Sequence, residues 1–171
     1  MNNDLAEKEF SAFVGPKAGY YLERWRFAVA GPEISTGFNW AAFFFSGLWL
    51  AYRKMYRIAG IFFGFILLET VLEEVVWVGI LGKPEAPAAF GRFVGLVAGI
   101  VCGWFANEWY LSHARKAISE VRSQGLSEEA HLEALAKRGG ASLAATLGFL
   151  ALFLLAAFVA VILLEFFLRL V

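Results

Sequence analysis

Apolar and polar positions divide this chain into a mixed first third and long apolar runs after it. Over residues 4–13 the pattern predicts a short amphipathic helix, broken at Val14-Gly15-Pro16. A second helical pattern from Lys17 to Ala30 sets Tyr20, Tyr21, Trp25 and Phe27 among Lys17, Glu23, Arg24 and Arg26. Rings beside cations suit either the headgroup layer or the underside of a helical bundle. Gly31-Pro32 and Ser35-Thr36-Gly37 mark a loop. Phe38 to Tyr52 then run apolar and aromatic without a charge, with Asn39 as a candidate cap. About fifteen residues make a helix of roughly 22 Å, short of a hydrocarbon core of roughly 30 Å. An interfacial or re-entrant aromatic helix is therefore expected, carrying Trp40 and Trp49 and ending on the basic cluster Arg53, Lys54 and Arg57.

Three membrane-length patterns follow. The first runs from Ile58 to Leu81 and places Gly60 and Gly64 on one face. Gly82 to Pro87 form a short turn, and the second helix runs from about Ala88 to Leu111. Gly91, Gly95, Gly99 and Gly103 recur at every fourth position of that helix, with Asn107 in the same register. Small residues at this spacing let another helix backbone approach closely, so a packing seam is expected, with Gly60 and Gly64 at the matching depth. A homo-oligomeric seam is the alternative. A polar helix after His113, a break at Gly125, and a Ser127-capped helix ending at Gly139-Gly140 make a water-facing connector. Ser142 opens the third apolar helix, which Glu165 and Arg169 end.

These patterns divide the chain at 1–37, a cytoplasmic amphipathic arm; 38–57, the aromatic helix with its basic anchor; 58–112, a membrane hairpin; 113–140, the connector; and 141–171, the last span. The expected fold is an all-α membrane protein with three transmembrane helices. Composition agrees: 60% of the residues are hydrophobic and 18% charged, against about half and about a quarter in soluble domains. No signal peptide is expected in the first thirty-seven residues, where Asp4, Glu7, Glu9 and Glu23 interrupt any apolar core. Basic residues decide between three and four spans. If the aromatic stretch does not cross, Arg53 to Arg57 and the connector share the cytoplasmic side with the amino terminus, while the 82–92 loop carries only Lys83 and Arg92. The positive-inside rule favours that count and a multi-pass protein of a bacterial inner membrane.

Several motifs resemble a known family. Phe13-Val14-Gly15, Tyr20-Tyr21-Leu22-Glu23-Arg24-Trp25, Phe38-Asn39-Trp40-Ala41-Ala42-Phe43-Phe44 and Tyr52-Arg53-Lys54-Met55-Tyr56 are similar to the bacterial family catalogued as domain of unknown function 2628. Asn107, Tyr110 and Gly139-Gly140-Ala141-Ser142 extend the likeness to about Ser142. The resemblance implies a small integral inner-membrane protein and brings no activity, cofactor or catalytic residue.

Candidate chemistry is sparse. Glu69, Glu73, Glu74, Arg92 and Glu108 are the membrane-zone charges, and an ion pair from Arg92 to Glu73 or Glu74 is expected across the hairpin. Glu69 serves either helix association or, in an oligomer, a proton or cation path. The single cysteine, Cys102, reads as a buried thiol, and His113 and His131 form no ligand spacing. No nucleophile motif or phosphate loop occurs, so neither an enzyme nor a cofactor is expected, and no basic domain points to nucleic acid. Three readings remain: an accessory or scaffold protein presenting surfaces to lipid or a larger membrane complex, a small oligomeric transporter or channel using Glu69 and the glycine seam, and an anionic-lipid sensor. The sensor would use Tyr20, Trp25, Arg53, Lys54 and Arg57, which with Trp40 and Trp49 are expected at the lipid interface.

Overall fold

An apolar stripe of Ala6, Phe10 and Phe13 on the first helix, α1 (Asn3–Val14), is buried against the rest of the protein. In the computed structural model, residues 3–30 and 37–168 are described; the expected loop at 31–36 and the chain end at Arg169 lie outside them. The described residues contain helices and no strand. A 3-10 turn over Gly15–Lys17, with Gly15 at φ +75°, stops α1 where Pro16 removes a donor. Helix α2 (Ala18–Ala30) buries Tyr21 and Trp25, one turn apart.

The aromatic stretch forms α3 (Trp40–Tyr52), capped by Asn39, whose side chain accepts from Ala42 N at 2.9 Å. It is not one straight rod. Ser46, at φ 41° and ψ −115°, breaks the helical path midway. Asn39 N donates to Gly103 O at 2.7 Å, Phe43 O lies against Gly99, and Trp49 returns to Tyr110 with ring centroids 6.1 Å apart. The segment thus descends along the fifth helix from residue 103 to 99, turns at Ser46, and comes back to residue 110.

Helix α4 (Tyr56–Glu74) continues through a π-helical turn, Val75–Ile80, to the turn at Gly82. Helix α5 (Ala88–Arg122) is unbroken over 35 residues, about 52 Å. The sequence placed a membrane helix end near Leu111 and a separate polar helix beyond; the backbone carries straight on because nothing between Leu111 and Arg122 breaks it. Helix α6 (Glu128–Arg138) starts at Ser127, whose hydroxyl accepts from Ala130 N at 3.4 Å. Helix α7 (Leu143–Leu168) begins where Ser142 N donates to Tyr52 O at 2.9 Å.

Packing divides the molecule into two ends. Helices α1 and α6, with the last turns of α5, form a polar cap, and α2 covers its side. At the other end lies the 82–87 turn. Helix α3 packs on α4, α5 and α7, whereas α4 and α5 share little contact with each other. Buried residues of α5 begin only at Gly99, and α4 buries Ala59 alone. The core therefore sits where α3, α2 and the middle of α5 cross, next to the cap. Two helices, α5 and α7, are long and apolar enough to cross a membrane. The apolar window of α7 is 0% buried, which a core helix of a water-soluble protein would not be. Helix α4 has the length but carries Arg57, Glu69, Glu73 and Glu74.

Candidate functional site

At the junction of cap and apolar helices, a buried arginine anchors the architecture. Arg53, only 6% exposed, donates through Nη2 to Tyr21 Oη at 3.0 Å. Its guanidinium carbon lies 4.8 Å from the Tyr21 ring centroid, 5.1 Å from that of Tyr110 and 5.6 Å from that of Tyr52. Ring faces stand in for a carboxylate, each desolvated contact contributing on the order of 2 kcal/mol. Burial pushes the Tyr21 phenol above its ordinary value despite the neighbouring guanidinium, so the hydroxyl stays protonated. Arg53 Nε, the Tyr110 hydroxyl and Trp25 Nε1 find no hydrogen-bond partner among the described residues. Trp25, Trp49 and Arg53, expected at the lipid interface, are thus withdrawn from it by packing around Tyr110. Trp40 remains exposed, and so does Tyr20, whose ring lies 4.4 Å below the Arg24 guanidinium.

The residue after Arg53 turns outward. Lys54 adopts φ +58°, a left-handed conformation that costs a non-glycine residue about 1–2 kcal/mol. Its Nζ donates to Lys137 O at 3.0 Å, tying the α3–α4 corner to the last turn of α6. Lys54 and Arg57 line a cleft of about 790 Å³ together with Lys116, Lys137 and Arg138. Sequence reasoning found Lys54 and Arg57 and missed the other three, which approach them only because α5 runs on past Leu111 and α6 folds back.

A second cluster holds the arm to the cap. Glu9 is 1% exposed, receives Arg122 Nε at 2.7 Å and a further bond from Arg122 Nη2, and lies 2.8 Å from His131 Nε2. Burial raises its pKa, but the bonds and charges of Arg122 and His131 outweigh burial and hold the carboxyl below its ordinary 4.5. The histidine that looked isolated has a partner 122 positions away. A signal was present: Glu9 lies three residues after Ala6 and four before Phe13, on the arc that α1 buries.

The glycine row has a different partner from the one expected. The seam with Gly60 and Gly64 of α4 does not form, since both face open space, as does Gly95. A Cβ on Gly99 would come within 2.9 Å of Phe43 O, and one on Gly103 would strike the Phe38 ring. Asn107 Oδ1 accepts from Asn39 Nδ2 at 2.7 Å, and its own Nδ2 donates to Gly37 O at 3.0 Å. These residues seat α3, not α4. A methyl at Gly91 would lie 3.7 Å from Glu73 Oε2.

The charges that the sequence placed in a membrane zone are scattered. Glu69 and Glu73 line a groove of about 320 Å³ with Phe65, Trp77 and Phe90, and Glu69 Oε1 has no partner among the described residues. Glu74 faces a separate groove toward Ala157 of α7. Glu108 and Arg92 are exposed. The expected pair from Arg92 to Glu73 or Glu74 is not formed among the described residues: α5 presents Gly91, not Arg92, to the Glu73 carboxylate. Cys102 is buried, as a free thiol.

Residues 4–116 match the model of a family described as protein of unknown function, DUF2628. The chain belongs to this family. The match starts before Phe13 and stops short of the Gly139–Ser142 step to which the resemblance had been extended. Within DUF2628 bounds lie α1, the Arg53 cage, the Asn39–Asn107 bond, and Lys54, Arg57 and Lys116 of the cleft; α6 and α7 lie beyond them. Neither curated proteins nor solved structures give a match.

Proposed function

We propose that the chain is a three-span membrane protein of accessory, non-catalytic role, with α4, α5 and α7 in a bacterial inner membrane and the helical cap in the cytoplasm. The observation that carries this reading is α7, whose apolar window holds no fully buried residue, so that its outward face has lipid or another membrane protein as its natural neighbour. The return of α3 to its own starting level supports counting it as re-entrant. Arg115, Lys116, Arg122, Lys137 and Arg138 all belong to the cap end, whereas Lys83 and Arg92 flank the far turn. The helices fix the protein in the bilayer; the cap presents a surface to a larger membrane complex.

The test is carbonate extraction of membranes followed by purification in native nanodiscs and mass determination of what travels with the chain. The expected result is retention in the membrane pellet and a stoichiometric foreign partner. Recovery in the soluble fraction overturns the membrane reading, and a clean homo-oligomer overturns the accessory one in favour of a conduit.

A further inference from the structure

The cleft beside Lys54 is lined by two unlike groups of residues. Five are cations, against one carboxylate, Glu120. Part of that charge is already engaged. Arg138 Nη1 lies 2.6 Å from Glu120, and Lys137 Nζ lies 2.7 Å from Glu133. Arg57 and Lys116 are exposed and make no ion pair among the described residues. The bond that Lys54 makes goes to a carbonyl, which leaves its positive charge uncompensated.

Apolar residues line the cleft too: Ile58 and Ile61 follow Arg57 on α4, Trp109 lies two turns before Lys116 on α5, and Ile61 is 72% exposed. The two groups meet where the apolar runs of α4 and α5 give way to the cap, which is headgroup depth in the placement proposed above; the inference rests on that placement. A soluble anion would leave the apolar residues uncovered, and a zwitterionic lipid would leave the cations without a net counter-charge. The volume, about 790 Å³, is in the range of ligand sites. Lys54 adds an independent sign: its backbone is held in a conformation that glycine adopts at no steric cost, yet the position carries a cation facing the cleft.

The geometry points to a site for an anionic glycerophospholipid, its phosphate held by Lys54, Arg57 and Lys116 and an acyl chain laid along Ile58, Ile61 and Trp109. The expected occupant is a lipid of the cytoplasmic leaflet, recognised by net negative charge and an attached chain.

Native mass spectrometry of the full chain in micelles tests this with phosphatidylglycerol, phosphatidylcholine and glycerol 3-phosphate as probes. Phosphatidylglycerol should be retained at least about tenfold over phosphatidylcholine, and glycerol 3-phosphate not at all. Each lost charge is expected to weaken retention about fivefold, so Arg57→Gln with Lys116→Gln should weaken it about twenty-fivefold, while Lys83→Gln at the far turn changes nothing. Lys54→Gly separates binding from folding: relief of the left-handed backbone offsets the lost bond to Lys137 O, so the variant should melt no lower yet retain less phosphatidylglycerol. Equal retention of the two lipids, or an unaltered double variant, overturns the site. Glycerol 3-phosphate binding as tightly as the lipid overturns the lipid in favour of a soluble anion. The micelle assay reads the cleft directly, so its failure is distinct from failure of the membrane placement, which the carbonate extraction reads.

Discussion

Glu9 shows how one side chain can hold an arm that composition leaves free. Its carboxylate joins α1 to the end of α5 and to α6, and hydrogen bonds to charged groups of this kind contribute about 1.5–3 kcal/mol. Glu9→Gln should therefore lower stability by about 2 kcal/mol, read as a drop in melting temperature of the detergent-solubilised chain. The pH dependence has a definite sign. Because the folded carboxyl titrates below the ordinary 4.5, its contribution is complete above that value and disappears as pH falls through the folded pKa. Melting of the parent chain should accordingly fall more steeply than that of Glu9→Gln as pH drops below about 4.5; parallel curves would show that Glu9 contributes nothing through its charge.

At the scale of elements, the doubled-back helix α3 organises the apolar half. It occupies the space between α4, α5 and α7, and α5 accepts it by having glycine at 99 and 103 and an asparagine at 107. Overpacking of such a contact costs about 1–3 kcal/mol. Gly99→Leu should lose stability in that range, because a side chain there meets the Phe43 carbonyl, which cannot rotate away. Gly60→Ala, Gly64→Ala and Gly95→Ala should be neutral or slightly stabilising, since alanine favours the helix by about 1 kcal/mol and meets open space. Thermal melts of the four variants in one detergent decide it. A loss at Gly60 or Gly64 equal to that at Gly99 would mean that the row packs on α4 or on a second copy.

For the whole molecule the question is which side each end faces. Cys102 is buried, so an introduced cysteine can be labelled over a quiet background. With three spans, Glu85→Cys should react with a membrane-impermeant maleimide on intact cells, and Ser119→Cys only after permeabilisation. Four spans would reverse the two results. The reversal is complete because a crossing by α3 would move both the 82–87 turn and the end of α5 that carries Ser119 to the opposite face.

The sequence by itself determined which segments are helices, since apolar periodicity, the Asn39 and Ser127 caps, and the glycines and prolines at breaks are local properties of the backbone. It also determined that the aromatic stretch is too short to cross a bilayer straight, and that the family motifs cluster around it. Tertiary structure alone decided what each charge and ring is for. Arg53 and Lys54 are neighbours in the chain, yet one is enclosed by Tyr21 and Tyr110 and the other lines an open cleft. Glu9 meets Arg122 and His131 across more than a hundred residues, and the glycine row fits Phe38 and Phe43 rather than α4. The reason is physical. Helix formation depends on residues three and four apart, whereas desolvation and ion pairing depend on which helix faces arrive together, and no spacing within a single helix contains that information.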